Sequence, residues 1–202
     1  MKKLAVLVSG RGSNLEAILN AMDNKTIVDA CVAIVISDNP NAYALVHAKN
    51  HNVKALCIER ASYKNREEYE EAICEELDAC GIDLVVLAGF MRVLGKAFTS
   101  RYKNRAINIH PSLLPSFPGI DAQSQAIEYG VKYTGCSVHF VTDGLDNGPI
   151  IGQKVVEVLE GDDRDSLADR ILKYEHELLI ECINFVLEDN FTIDGRIVRR
   201  RG

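Results

Sequence analysis

RAINIHPSLLPSFPG, residues Arg105–Gly119, opens as a short apolar strand, Ala106–Ile109, and breaks at His110-Pro111. Proline has no N–H to offer a strand ladder and restrains the residue before it. Strand alternation puts Ile107 and Ile109 on one side and Asn108 and His110 on the other. An amide and an imidazole therefore stand together where a strand gives out into a proline-punctuated loop. Ligands of open α/β sheets bind outside the carboxyl ends of the strands. Taken alone, the pair reads as a surface amide and a loop histidine, so the surrounding chain must decide.

Upstream, strands and helices alternate. Leu4–Val8 is a continuous apolar run, as expected of a strand buried on both faces. It feeds Ser9-Gly10-Arg11-Gly12-Ser13-Asn14 and then a helical pattern with Leu15, Ile18 and Leu19 on one side. Strand, glycine turn and helix together present backbone N–H groups and a positive helix end to a phosphate. The third glycine of a dinucleotide fingerprint would fall at Leu15, and no Lys-Ser/Thr follows as in a P-loop. A phosphate or mononucleotide fits better than a dinucleotide; the alternative is a plain tight turn with Ser13 or Asn14 as N-cap. Cys31–Ser37 reads as a strand, Ala42–Asn50 as a helix and Lys54–Cys57 as a short strand. Asn65–Cys80 is an amphipathic helix with Tyr69, Ile73 and Leu77 on one face and Gly81 as its terminator. Asp83–Gly89, DLVVLAG, is a central strand, leading to Phe90-Met91-Arg92-Val93-Leu94 at another carboxyl end. This alternation predicts a doubly wound, mostly parallel α/β sheet.

Downstream, the pattern changes. A short helix over Ala122–Tyr129 precedes Gly135–Val141, a turn-rich loop TDGLDNGP containing Asp146, and a strand over Ile150–Val158. So short a connection predicts an antiparallel hairpin. A long helix follows, Asp165–Leu187, striped by Leu167, Ile171, Tyr174, Leu178, Cys182 and Phe185. Beside that stripe Glu175 reads either as an edge residue reaching water or as a carboxylate accepting from a ligand hydroxyl. The basic tail GRIVRRRG reads as mobile. The 202 residues are expected to form one domain, with a mononucleotide- or phosphate-binding half over 1–105 and a second half over 106–202.

Composition narrows the class. Hydrophobic residues at 47% and charged residues at 26% are ordinary for a globular protein. A net charge of -6 argues against general nucleic-acid binding. The apolar run Leu4–Val8 is too short for a signal or membrane segment, so a cytoplasmic location and no membrane partner are expected. Six scattered cysteines without a C-x-x-C pair read as buried apolar residues of a reducing compartment, not as a metal site.

SGRGSNL (Ser9–Leu15), LAGFMRVL (Leu87–Leu94), INIHPSLLPSFPG (Ile107–Gly119) and SVHFVTDGLDNGPII (Ser137–Ile151) occur here in one order. In these motifs and in length the chain resembles the glycinamide ribonucleotide transformylases of purine biosynthesis. The resemblance implies a Rossmann-like formyltransferase fold and transfer of a formyl group from the co-substrate 10-formyltetrahydrofolate to the amine of 5′-phosphoribosylglycinamide. It implies catalytic roles for Asn108, His110 and Asp146, and acceptor binding by Gly12, Ser13 and Asn14 at the phosphate and by Glu175 at the ribose. Folate would meet Met91, Arg92, Val93, Leu94 and Asn108, with Arg66 near its tail. Small-molecule substrates, no metal, and a monomer or homodimer are expected. Methionyl-tRNA formyltransferases differ at the phosphate loop and carry a further domain. A formyltetrahydrofolate deformylase, which lets water take the formyl group, shares the catalytic residues but is longer at the N-terminus. A sugar-nucleotide formyltransferase fits the phosphate loop less well. A non-catalytic phosphometabolite or folate sensor gives no reason to combine Asn108, His110 and Asp146.

The chemistry explains these residue types. Amine attack on a formyl carbonyl creates a negative oxygen that needs fixed donors. Asn108 offers a neutral N–H. A histidine donates best when protonated, and a neighbouring carboxylate favours that form, which gives Asp146 its purpose. His110 can also pass a proton toward the leaving nitrogen. His139 reads as a strand histidine that helps shape the site.

Overall fold

The structure, a computed structural model, describes residues 1–202. The chain forms two compact units, residues 1–108 and 109–202.

In the first unit β1 (Lys2–Val8), β2 (Ala30–Ser37), β3 (Lys54–Cys57), β4 (Leu84–Leu87) and the start of β5 (Ala106–His110) lie in the order β3-β2-β1-β4-β5. All the pairings among them are parallel, with Leu4 opposite both Val32 and Leu84. Leu4 to Val8 are wholly buried, which is why β1 has an unbroken apolar sequence. Three helices connect β1 to β4: α1 (Ser13–Asp23), α2 (Ala44–Asn50) and α3 (Arg66–Cys80). In α3 Tyr69, Ile73, Cys74 and Leu77 are buried; the Asn65 side chain caps its start and Gly81 ends it at φ 66°. The short α4 (Lys96–Arg101), anchored by buried Phe98, has too little length for a periodic signature.

In the second unit α5 (Ala122–Tyr129) leads to β6 (Tyr133–Phe140) and β7 (Ile150–Glu157), which pair antiparallel as the short loop predicts. The ladder runs close at Gly135, where a Cβ would lie 1.9 Å from the Lys154 carbonyl oxygen. Next comes α6 (Arg164–Leu187), opened by a capping box in which Asp163 and Ser166 satisfy each other's backbone N–H. Its buried face is Leu167, Ile171, Leu178, Leu179, Cys182, Ile183 and Val186. Tyr174, expected in that stripe, is 39% exposed, because the helix is long enough for its apolar rows to drift around the axis.

Two expectations are corrected. The basic tail is not an irregular extension: β8 (Phe191–Asp194) and β9 (Ile197–Arg200) form an antiparallel hairpin, with β9 also paired to β7. Phe191 is buried and its ring stacks 5.4 Å from Phe140 and 5.5 Å from Phe185. That aromatic contact outweighs the solvated arginines that dominate the sequence here. The cysteines divide as well. Cys74, Cys136 and Cys182 are buried, Cys31 and Cys80 are half-buried, and Cys57 is exposed. Burial pushes the Cys136 and Cys182 thiols up to about 12, so both stay protonated and unreactive.

Candidate active site

The strand order of the first unit reverses between β1 and β4, the switch point at which open α/β sheets bind ligands. The turn after β1 is held tightly there. Gly12 sits at φ 81°, and a Cβ on it would lie 2.6 Å from Ala44 Cβ, so only glycine fits. The Ala44 N–H donates to the Gly10 carbonyl at 3.2 Å. Gly12 itself is the N-cap of α1, without a side-chain cap, so the alternative of Ser13 or Asn14 as N-cap does not hold. Those two residues are instead the first of the helix, where backbone N–H groups fall outside the helical ladder and favour an anion.

The loop after β4 is tied to this turn. Ser9 Oγ accepts from the Met91 N–H at 2.8 Å, and the Ser9 N–H donates to the Gly89 carbonyl at 3.1 Å. Met91 and Val93 are 67% and 50% exposed while Leu94 is buried, so the loop offers apolar surface on a fixed backbone. Arg92 Nε donates to Asp38 Oδ2 at 2.6 Å. Arg66 Nε donates to Glu70 Oε1 at 2.6 Å, and the same oxygen accepts from the Gly95 N–H at 2.6 Å. One buried carboxylate thus joins Arg66 to the end of the Met91–Leu94 loop. A cavity of about 420 Å³ lies beside it, lined by Ser9, Asp38, Asn39, Glu59, Arg60 and Arg92. Sequence reading did not single out Asp38 and Glu70. Asp38 was discoverable, since it directly follows β2 at a carboxyl end; Glu70 looks like any glutamate of an acidic helix.

β5 carries Asn108, the last residue of the first unit, and His110 two residues later on the same side of the strand. His110 is buried. Its Nε2 lies 2.8 Å from the Phe117 carbonyl oxygen and its Nδ1 3.4 Å from Asp146 Oδ2. Both ring nitrogens face oxygen atoms. His139, also buried, faces the Phe140 carbonyl through Nδ1 at 2.9 Å and Asp146 Oδ1 through Nε2 at 3.6 Å. Asp146 Oδ2 further accepts from the Gly119 N–H at 2.8 Å. Burial opposes ionisation of Asp146, but the hydrogen bond to His139, the Gly119 N–H and the nearby imidazoles outweigh it. The carboxyl is held below the usual range. An ionised carboxylate is thus bracketed by two histidines at the end of β5. His139, expected only to shape the site, faces the carboxylate directly.

Glu175 lies on α6 and is 7% exposed, so the alternative of an edge residue reaching water is wrong. Its charge helps raise the Cys136 thiol, which places the two groups near one another. No group of three or more His, Cys, Asp or Glu side chains is arranged to hold a metal ion.

The family described as formyl transferase matches residues 2–183. The chain is 44% identical over 177 residues to phosphoribosylglycinamide formyltransferase of Bacillus subtilis, covering 88% of this chain and 90% of that one. Against phosphoribosylglycinamide formyltransferase of Escherichia coli the identity is 40% over 194 residues, covering 96% and 88%. It is 46% identical over 176 residues to the trifunctional purine biosynthetic protein adenosine-3 of Drosophila melanogaster, and spans only 13% of that longer relative. The fold matches the crystal structure of glycinamide ribonucleotide transformylase 1 from Symbiobacterium toebii with a TM-score of 0.97 and 48% identity, over 100% of this chain and 95% of that one.

Proposed function

The chain belongs to the formyl transferase family, and we propose that it transfers the formyl group of 10-formyltetrahydrofolate to the amine of 5′-phosphoribosylglycinamide. The products are formylglycinamide ribonucleotide and tetrahydrofolate, a step of purine biosynthesis. In this reading the amine nitrogen attacks the formyl carbon, and the carbonyl electron pair moves onto oxygen. Asn108 donates to that oxygen as its charge develops, and His110 joins it by turning its Nε2–H from the Phe117 carbonyl it faces in the free protein. The intermediate collapses, the bond from carbon to the folate nitrogen breaks, and His110 supplies the leaving nitrogen with a proton while the amine loses one to solvent. Asp146 keeps the imidazole charged and oriented.

Gly12, Ser13 and Asn14 are assigned to the acceptor phosphate, supported by the glycine-only turn and the helix end behind it. Glu175 is assigned to the ribose hydroxyls; its burial suits a carboxylate that meets donors and not water. Met91, Arg92, Val93 and Leu94, with Asn108, are assigned to the folate, and Arg66 to its tail, supported by the Glu70 link between Arg66 and this loop. The reading makes the protein a cytoplasmic enzyme of small-molecule substrates, acting as monomer or homodimer without metal. No helix is long and apolar enough to cross a membrane.

The observation that carries the proposal is the ionised Asp146 set against His110, with Asn108 two residues before it on the same strand. The test is to incubate the protein with 10-formyltetrahydrofolate, with and without glycinamide ribonucleotide, and follow the formyl group. Loss only with the ribonucleotide is the expected result. Formate release without it would replace the reading by a hydrolase, and no loss in either case would leave a binding protein.

A further inference from the structure

We propose that Arg196, in the turn of the C-terminal hairpin, is a positioning residue for formyl transfer that acts by strapping the Asp146 loop in place. The inference rests on the catalytic role assigned to Asp146 above. Arg196 lies beyond residues 2–183, the part of the chain that the family match covers.

Asp146 is a non-glycine residue at φ 47°, a backbone state that persists only where the surroundings hold it. Thr142–Gly148 is held from inside at several points. The Phe140 N–H donates to the Pro149 carbonyl at 2.9 Å, and Thr142 Oγ1 donates to Asn147 Oδ1 at 3.0 Å. Gly148 lies so close to Phe140 that a Cβ would fall 1.7 Å from its carbonyl oxygen. From outside, the loop is held by Arg196, whose Nη1 donates to the Asn147 carbonyl at 2.5 Å and Nη2 to the Gly148 carbonyl at 3.4 Å. These are the two residues directly after Asp146, so the guanidinium fixes the peptide planes on which the carboxylate's direction depends.

The placement follows from the hairpin's construction. Asp194 pairs with Ile197, leaving a two-residue turn of Gly195, at φ 59°, and Arg196. Ile197 pairs in parallel with Ile150, the first residue of β7, so the register sets Arg196 beside the loop that ends there. At the hairpin's other end Phe191 stacks on Phe140, the last residue of β6. The hairpin is therefore docked on both strands that carry the loop. A planar guanidinium with two forked donors suits two successive carbonyls better than an ammonium does.

The test compares R196A, R196K, D146N and the double variant R196A/D146N for kcat and both KM values. R196A is expected to lower kcat about tenfold with KM values unchanged, since misplacing a reacting group by a fraction of an ångström has effects of that order. R196K is expected to recover part of the loss. In the D146N background, R196A is expected to change kcat by less than about twofold, because the strap has no carboxylate left to aim. Wild-type kcat in R196A would overturn the inference. So would the same fractional loss in both backgrounds, which marks a general loss of structure. If R196A does not fold, R196Q is read by the same criteria. Full activity in D146N would instead sink the role of Asp146 itself, whatever Arg196 does.

Discussion

The turn after β1 and the loop after β6, which the proposed function assigns to the acceptor phosphate and to the reacting groups, are built differently. The first contributes backbone: Gly12 lies against Ala44, and the first turn of α1 supplies N–H groups, its one acidic side chain, Glu16, being turned to His47 at 3.6 Å. The second contributes one carboxylate, kept ionised while buried by His139, the Gly119 N–H and His110. A backbone site depends on a conformation that only glycine adopts, so it is rigid and tolerates changes in its neighbours' side chains. A side-chain site depends on several groups far apart in the chain, and each can be removed separately. The two should therefore fail differently under mutation, the first in acceptor affinity and the second in turnover.

The sharpest separation should come from Asn108→Ala. It is expected to lower kcat by roughly 10²–10³-fold, the usual size for one lost oxyanion donor, with little change in acceptor KM. Steady-state kinetics at saturating folate check this, and unchanged turnover would remove Asn108 from the catalytic set. Gly12→Ala should act on the other quantity. It forces a Cβ to 2.6 Å from Ala44 Cβ in a left-handed conformation, and is expected to raise acceptor KM by about tenfold, equivalent to ~1.4 kcal/mol, while kcat stays nearly constant. If kcat fell and KM did not, the contrast between the two regions would break.

Smaller effects test how the acidic loop is held. His139→Ala leaves buried Asp146 short of one partner and is expected to lower stability by about 1–3 kcal/mol, measured by urea unfolding at neutral pH. Asp146→Asn probes the same charge through pH. Because the folded carboxyl is held below its ordinary value, its stabilising contribution is complete above the unfolded pKa of about 3.9 and disappears as pH falls through the folded value. The stability gap between wild type and Asp146→Asn should close as pH falls below about 5. A gap that widened in acid would reverse the sign of the coupling.

Some of this was legible in the residues alone. Periodicity marked β1, α3 and the β6–β7 hairpin, and Asn108 and His110 were visible as partners because strand alternation is local. Tertiary contacts overrode local signals elsewhere. The tail reads as solvated because five of its last seven residues are Arg or Gly, yet one buried ring, Phe191, docks it. Tyr174 fits the helical stripe but is 39% exposed, because the buried face of α6 runs through Glu175, Leu179 and Ile183 instead. Glu70 carries no sequence signal at all: its role depends on where Gly95 arrives.

The amino-acid sequence by itself determined the alternation of elements, the glycine turn after the first strand, and the residue types able to stabilise a developing oxyanion. These depend on backbone sterics, side-chain period and functional-group chemistry, which act over a few residues. Only the tertiary structure decided that Asp146 meets two histidines, that Glu175 is buried, and that Arg196 reaches the loop it straps. Those facts depend on strand register and on burial, which lowers the local dielectric and fixes which charges can remain, and neither is set until distant segments pack.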